Sequence, residues 1–158
     1  MTEFSKHIET NKKAWNKRTP IHIKSIFYNN EEFKKGKSSL KSIELNALGN
    51  IKEKSLLHLQ CHFGQDSISL SRMGAKVTAV DFSNVAINEA KKIAAEIKVN
   101  INFIESNVLE FRINKKFDII FSSYGVIGWI PDLNKWAATI AFHLKRGGLF
   151  LLTEFHPF

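Results

Sequence analysis

The stretch LLHLQCHFGQDS (residues 56–67) opens with apolar residues as a buried strand does, turns through polar residues around one glycine, and continues at helix-compatible spacing. A glycine turn that hands a strand over to a helix is the repeating unit of parallel sheets. Whether this unit repeats decides the fold. Downstream, the strand-like runs KVTAVDF (76–82), INFIES (101–106), FDIIFSS (117–123) and GLFLLTEF (148–155) alternate with helical patterns over about Gln65–Met73, Asn84–Lys98 and Leu133–Leu144. Parallel neighbours need crossover connections, so this alternation predicts an α/β, Rossmann-like parallel sheet with helices on both faces.

The helix after Asp81 carries the clearest local signals. Ser83 is placed to cap it, and Ala86, Ala90, Ile93, Ala94 and Ile97 fall on one stripe. Gly74 stops the helix before it, and Gly147 with Gly148 separates the last helix from the last strand. Upstream, residues 5–18 and 40–48 read as helices, with Thr19–Ser39 as loop or short irregular helix. The expected organisation is an N-terminal helical segment, 1–50, and a core, 51–158.

Open parallel sheets bind ligands beyond the carboxyl ends of their strands. Four places qualify: Gln60–Gly64, Asp81–Ser83, Ser106–Val108 and Ser122–Gly125. Gly64 suits a close approach of backbone to ligand, and the following helix start offers free N–H groups. The dinucleotide pattern G-x-G-x-x-G is absent, because Gln60 and His62 stand where glycines would be. Asp81 ends the next strand, where a carboxylate accepts from both hydroxyls of a ribose. Phe82 offers a face for an adenine, and Asn107 with Val108 offers polar groups for its edge.

LLHLQCHFGQDS, VTAVDFS, FIESNVLEF, FDIIFSSYGVIGWIPD and HLKRGGLFLLTEFHPF together resemble, in order and spacing, the motifs of class I S-adenosylmethionine-dependent methyltransferases. The resemblance is nearest to a group of small bacterial methyltransferases sharing the LHLQCHFGQD wording, and extends to Trp15, Phe27 and Tyr28. It implies S-adenosyl-L-methionine as cofactor. Gln60, His62 and Gly64 would hold the methionine part, Asp81 the ribose, and Phe82, Asn107 and Val108 the adenine, with Ser123 and Tyr124 beside the methyl. The N-terminal segment would be a lid. The family at large has an acidic residue and then glycines where this chain has His58, Gln60 and His62, which suggests side-chain donors toward the amino-acid carboxylate from Gln60 and His62.

Methyl transfer asks mainly for alignment, with a base only if the acceptor must lose a proton. The candidate catalytic residues are His156 and Tyr124, with Glu154 behind them. Trp129 would wall an apolar acceptor pocket, and Trp136 belongs to the core. His58 and His62 have helical metal-ligand spacing, but they straddle a strand and a turn, so no metal site is expected. Cys61 reads as a buried thiol.

Charge and composition narrow the partners. Residues 1–54 hold 12 Lys and Arg against 6 Asp and Glu, and residues 55–158 hold 11 against 9, so the net +8 is concentrated at the front. Those lysines are dispersed without interleaved aromatics, which argues for a solvated basic face rather than a nucleic-acid surface. Neither a membrane span nor a signal peptide is legible, and the single cysteine rules out an intramolecular disulfide, so a cytoplasmic protein is expected. The seven-stranded methyltransferase fold places further strands after the fifth. Here GLFLLTEF would be an uncovered edge inviting self-association. Two other readings stay open: a noncatalytic cofactor-binding or interaction fragment, and an NAD(P)-dependent oxidoreductase.

Overall fold

The computed structural model describes residues 3–155, with side chains from residue 5 onward. Five strands, β1 (Ser55–Leu59), β2 (Lys76–Asp81), β3 (Asn102–Glu105), β4 (Phe117–Ser123) and β5 (Leu144–Thr153), form one sheet in the order β3-β2-β1-β4-β5. Every pairing is parallel. The α/β Rossmann-like expectation is therefore met.

Alternation along the central strands divides the interior in two. Leu56, Val77, Ala79, Ile119 and Phe121 join one core, whereas Leu57, Leu59, Val80, Phe117 and Ile120 join the other. This is the period-2 geometry of a sheet buried on both faces. Helices α4 (Gln65–Arg72) and α5 (Asn84–Glu96) cover the first core, and α6 (Leu133–His143) covers the second through Trp136 and Ile140. At α5, Ser83 Oγ accepts from the Ala86 N–H at 3.1 Å, and Ala86, Ala90, Ile93 and Ala94 are buried, as the stripe predicts.

The N-terminal part departs from its sequence reading. The first helix, α1, runs over Glu3–Lys24 and passes through Pro20 instead of stopping near residue 18. A proline inside a helix costs about 3 kcal/mol. Contacts beyond it outweigh that cost: Ile23 packs on the first core, and the His22 ring stacks on Tyr28 at 5.3 Å. Ile8, at the other end of α1, packs on the second core, so the helix crosses from one side of the sheet to the other. Within the expected loop, α2 (Asn30–Lys34) buries Phe33, and α3 (Ser42–Leu48) follows.

The LKRGG turn also differs in detail. Leu144 pairs with Phe117, four residues bulge out, and the ladder resumes where Leu149 meets Ile119. A Cβ at Gly148 would stand 2.9 Å from Lys145 O and 3.0 Å from Asp118 O, so the glycine lets the bulge close against β4. Among the described residues β5 pairs only with β4. No described helix is long and apolar enough to cross a membrane.

Candidate functional site

The chain leaves β1 for β2 on one side of the sheet and later returns to β4 on the other. The carboxyl ends of β1 and β4 therefore diverge into a crevice, the switch point where open α/β sheets bind ligands. A cavity of about 460 Å³ opens there, within the size range of small-molecule sites. Gln60, His62, Gly64, Asp81, Phe82, Asn107, Val108, Ser123 and Tyr124 all border it. The sequence places these residues in four separate loops, and the fold brings them to one wall.

The turn after β1 holds three left-handed residues, Gln60 (φ 55°), His62 (φ 52°) and Gly64 (φ 81°). Two non-glycine side chains in that region cost about 1–2 kcal/mol each, which their contacts must offset. Gln60 Oε1 accepts from Ser122 Oγ and Trp136 Nε1, both at 3.2 Å. His62 donates its backbone N–H to Asp81 Oδ2 at 2.9 Å, and its Nε2 lies 3.1 Å from His22 Nδ1. The Gln60 carbonyl oxygen and one ring nitrogen of His62 thus have protein partners, and neither bond uses the Gln60 amide N–H donors. Gly64 has a packing reason as well: a Cβ there would meet the Phe103 ring at 2.8 Å and Ala90 Cβ at 3.1 Å.

Asp81 is buried at the end of β2, and its Oδ1 accepts from the Ser83 N–H at 2.8 Å. Burial pushes its carboxyl up to about 6, against the opposing pull of the Ser83, His62 and Phe82 N–H groups. His62 is driven the other way, to about 3, by burial and then by His22. It is therefore a neutral imidazole sharing one proton with its neighbour. Asn107 directs its amide oxygen to the Leu109 N–H at 3.1 Å, an Asx turn, so one of that oxygen's two acceptor positions is already used.

Helix α1 supplies the aromatic wall. The Trp15 ring lies 5.1 Å from His62 and 5.5 Å from Trp129, with the Arg18 guanidinium 4.9 Å from the Trp129 ring. The N-terminal segment is fastened to α4 by polar contacts: Gln65 Nε2 donates to Tyr28 O at 2.9 Å, and Ser39 Oγ donates to Asp66 Oδ1 at 2.6 Å. Trp129 borders the cavity as expected, and Trp136 is buried in α6.

On the far side, the Tyr124 hydroxyl donates to the buried carboxylate of Glu44, and Lys41 Nζ lies 4.3 Å from the Tyr124 ring centre. Burial and then the Glu44 carboxylate push the Tyr124 phenol up to about 12. Glu44, Asp66 and His58 also border the cavity, and the sequence reading assigned none of them to the site. Only Glu44 had a local signal, the third position of a helix, where its Oε2 accepts from the Lys41 N–H at 2.6 Å. Glu154 is corrected as a base. Burial works against its charge, yet the N–H groups of Gly125, Phe155, Ile127 and Val126 hold its carboxyl below the usual range, so it anchors the β4 loop. His156 lies outside the described residues. Cys61 is buried, and burial pushes its thiol well up.

The family described as a methyltransferase domain matches residues 56–148. A ubiquinone biosynthesis O-methyltransferase of Rickettsia canadensis is 26% identical over 104 residues, covering 66% of this chain and 44% of its own length. Its namesake in Coxiella burnetii is 32% identical over 105 residues, covering 65% and 44%. The chain thus spans less than half the length of these curated relatives. Among solved structures, the DhpI–SAH complex superimposes with a TM-score of 0.71 at 19% identity, over 93% of this chain and 68% of that one. The glycopeptide N-methyltransferase MtfA complexed with (S)-adenosyl-L-methionine gives 0.62 at 22%, over 70% and 51%. These structures share the fold. The family match takes in more than half of the sequence, so the chain belongs to the methyltransferase-domain family.

Proposed function

We propose that this domain binds S-adenosyl-L-methionine in the cavity and transfers its methyl group to a small-molecule acceptor. The observation that carries this reading is Asp81: a buried carboxylate at the end of β2, bordering the same cavity as the turn after β1. Its backbone N–H partners leave the carboxylate a lone pair that a ligand with paired hydroxyl donors can use. Asp81 would hold the ribose, Phe82 and Val108 the faces of the adenine, and Asn107 its edge. The turn Gln60–Gly64 would shape the wall beside the thioether through its backbone. The bound sulfonium supplies a methyl with a good leaving group, so the protein's work is alignment and exclusion of water.

The acceptor would enter beside Ser123 and Tyr124. The Phe155 ring, 5.1 Å from that of Tyr124, gives that side an apolar wall, and Trp15, Tyr28 and Trp129 add aromatic surface elsewhere in the same cavity, which suits an acceptor with a flat or aliphatic body. Residues 1–50 would act as the lid, carried by the α1 helix and the contacts of Ser39 and Gln65. Tyr124 would take a proton from an acceptor hydroxyl or amine only as its own proton passes to Glu44.

A cytoplasmic setting accords with one cysteine, buried and unpaired. The dispersed basic residues support no nucleic-acid partner in this reading. Self-pairing through the edge of β5 that no described strand covers is also proposed, and a strictly monomeric species at high concentration contradicts it. Titration calorimetry with S-adenosylmethionine, S-adenosylhomocysteine and NADH tests the main reading. Binding of the first two and not the third is expected, followed by methyl release to a suitable acceptor. Binding of NADH alone would replace the reading with an oxidoreductase.

A further inference from the structure

The outer face of α1 leads to an apolar tip on the rim of the cavity. Lys13, Lys17, Ile21 and Lys24 recur at intervals of four, four and three residues, so they form one stripe along the helix, and all are exposed. Trp15 and His22, which touch His62, lie on the opposite side. Past the end of α1 the chain turns back, with the Asn29 N–H donating to Ser25 O at 3.2 Å. The residues at the tip of that turn are apolar and stand in water: Ile26 is 94% exposed and Phe27 78%. Ile21, in the last turn of α1, is 67% exposed. Large apolar side chains gathered on a polar surface in this way mark a place that meets another body.

The surroundings of the tip are basic. Residues 17–41 hold seven Lys and Arg against two Glu. Both glutamates are engaged, Glu31 by Lys34 and Glu32 by Lys35. Among the described residues no ion pair engages Lys17, Lys24 or Lys37. Free ammonium groups on long flexible stems complement a dense, fluid anionic surface, which asks for no fixed geometry. The convex tip fits the same surface. Its apolar side chains can enter the boundary between headgroups and acyl chains while the neighbouring lysines stay among the headgroups.

We infer that this face docks on an anionic lipid bilayer, with Ile26 and Phe27 inserted below the headgroups and Lys17, Lys24 and Lys37 among the phosphates. Ile21 then lies at the level of the headgroups. Phe27 and Lys37 also border the cavity, so docking turns the cavity mouth toward the lipid. The apolar and electrostatic parts reinforce each other, since either alone gives only weak, reversible attachment. Docking needs no cofactor and does not depend on the methyl-transfer reading.

Sedimentation with vesicles tests this, using phosphatidylcholine alone and phosphatidylcholine mixed with phosphatidylglycerol in equal parts. The protein should bind the mixed vesicles about tenfold or more tighter than the neutral ones, and less tightly as salt is raised. Ile26→Ser combined with Phe27→Ser should weaken binding to the mixed vesicles about tenfold or more. Lys17→Gln combined with Lys24→Gln should do so about tenfold and reduce the salt dependence. All four positions are exposed, so these variants should keep the wild-type Tm. Phe142→Ser changes an exposed ring of α6 that has its own cations, Arg112 and Lys116, beside it, and should leave binding within about twofold. Equal binding to both kinds of vesicle, binding to neither, or a loss in Phe142→Ser without one at the tip overturns the proposal. So does a tip variant that changes the sedimentation of the protein without vesicles, because the tip then meets a second copy of the chain.

Discussion

His22 Nδ1 and His62 Nε2 lie 3.1 Å apart, joining the long N-terminal helix to the turn that follows β1. Burial lowers the pKa of both rings, in His62 to about 3, and His58 is lowered to about 4. A histidine whose folded pKa is depressed contributes stability in full above its unfolded value of 6.5 and loses it as the pH falls toward the folded value. Asp81 acts oppositely: its folded carboxyl, at about 6, protonates before the unfolded one, which returns stability between pH 6 and 4. His62 and His58 alone outweigh the one aspartate, so acidification from pH 7 to 5 should cost on the order of 2 kcal/mol. In thermal unfolding that is a fall in Tm of about 4–8 °C. His62→Gly, which suits the positive φ of that position, should reduce the fall, and a Tm equal at both pH values would refute the assignment of buried neutral rings.

Gly64 is constrained by packing. Gly64→Ala should destabilise the domain by about 2–4 kcal/mol, because the new Cβ meets the Phe103 ring at 2.8 Å in a left-handed backbone. Adding Phe103→Leu should recover part of that loss in chemical denaturation, since the two sites touch. If the double variant is as unstable as the separate losses together predict, the ring is not what the glycine accommodates.

The sheet and its strand ends were legible because their signals are local: apolar runs in β1 and β4, Ser83 at a helix start, Asp81 at a strand end. The N-terminal half was less so. Pro20 reads as a stop, and only the later contacts of Ile23 and His22 carry the helix past it. Ser39 and Asp66 are 27 residues apart and share no pattern that predicts their bond. Gln60 and His62 adopt positive φ where glycine would be expected, and what holds them there, Trp136 for one and His22 for the other, comes from distant elements. Asn107 borders the cavity as its place after a strand suggests, and its amide oxygen also closes an Asx turn onto the Leu109 N–H.

The two tyrosines report on the acceptor side. Tyr28 is raised by burial and then by Asp66, and Tyr124 to about 12 by burial and then by Glu44. Ultraviolet titration of the native protein should show less tyrosinate at pH 10.5 than two free phenols would, with Tyr124 still protonated. Glu44→Gln should bring one of the two back toward 10. Two ordinary titrations in the wild type would show that the Tyr124–Glu44 bond does not persist in solution.

In the proposed cofactor site Asp81 would bring a pH dependence of its own. Ribose hydroxyls favour the carboxylate, so the affinity for S-adenosylhomocysteine should fall as the pH drops through about 6, by at most about tenfold per unit. Asp81→Asn should weaken binding about tenfold or more at pH 7.5 and flatten that dependence. Calorimetry at pH 7.5 and 5.0 decides it, and an affinity insensitive to both changes would remove Asp81 from the site.

The most direct test is a crystal structure of the domain with S-adenosylhomocysteine. The account predicts both ribose hydroxyls within hydrogen-bond reach of the Asp81 carboxylate, the adenine between Phe82 and Val108, and the sulfur facing Tyr124. A ligand bound away from Asp81, or with its ribose turned to solvent, would contradict it.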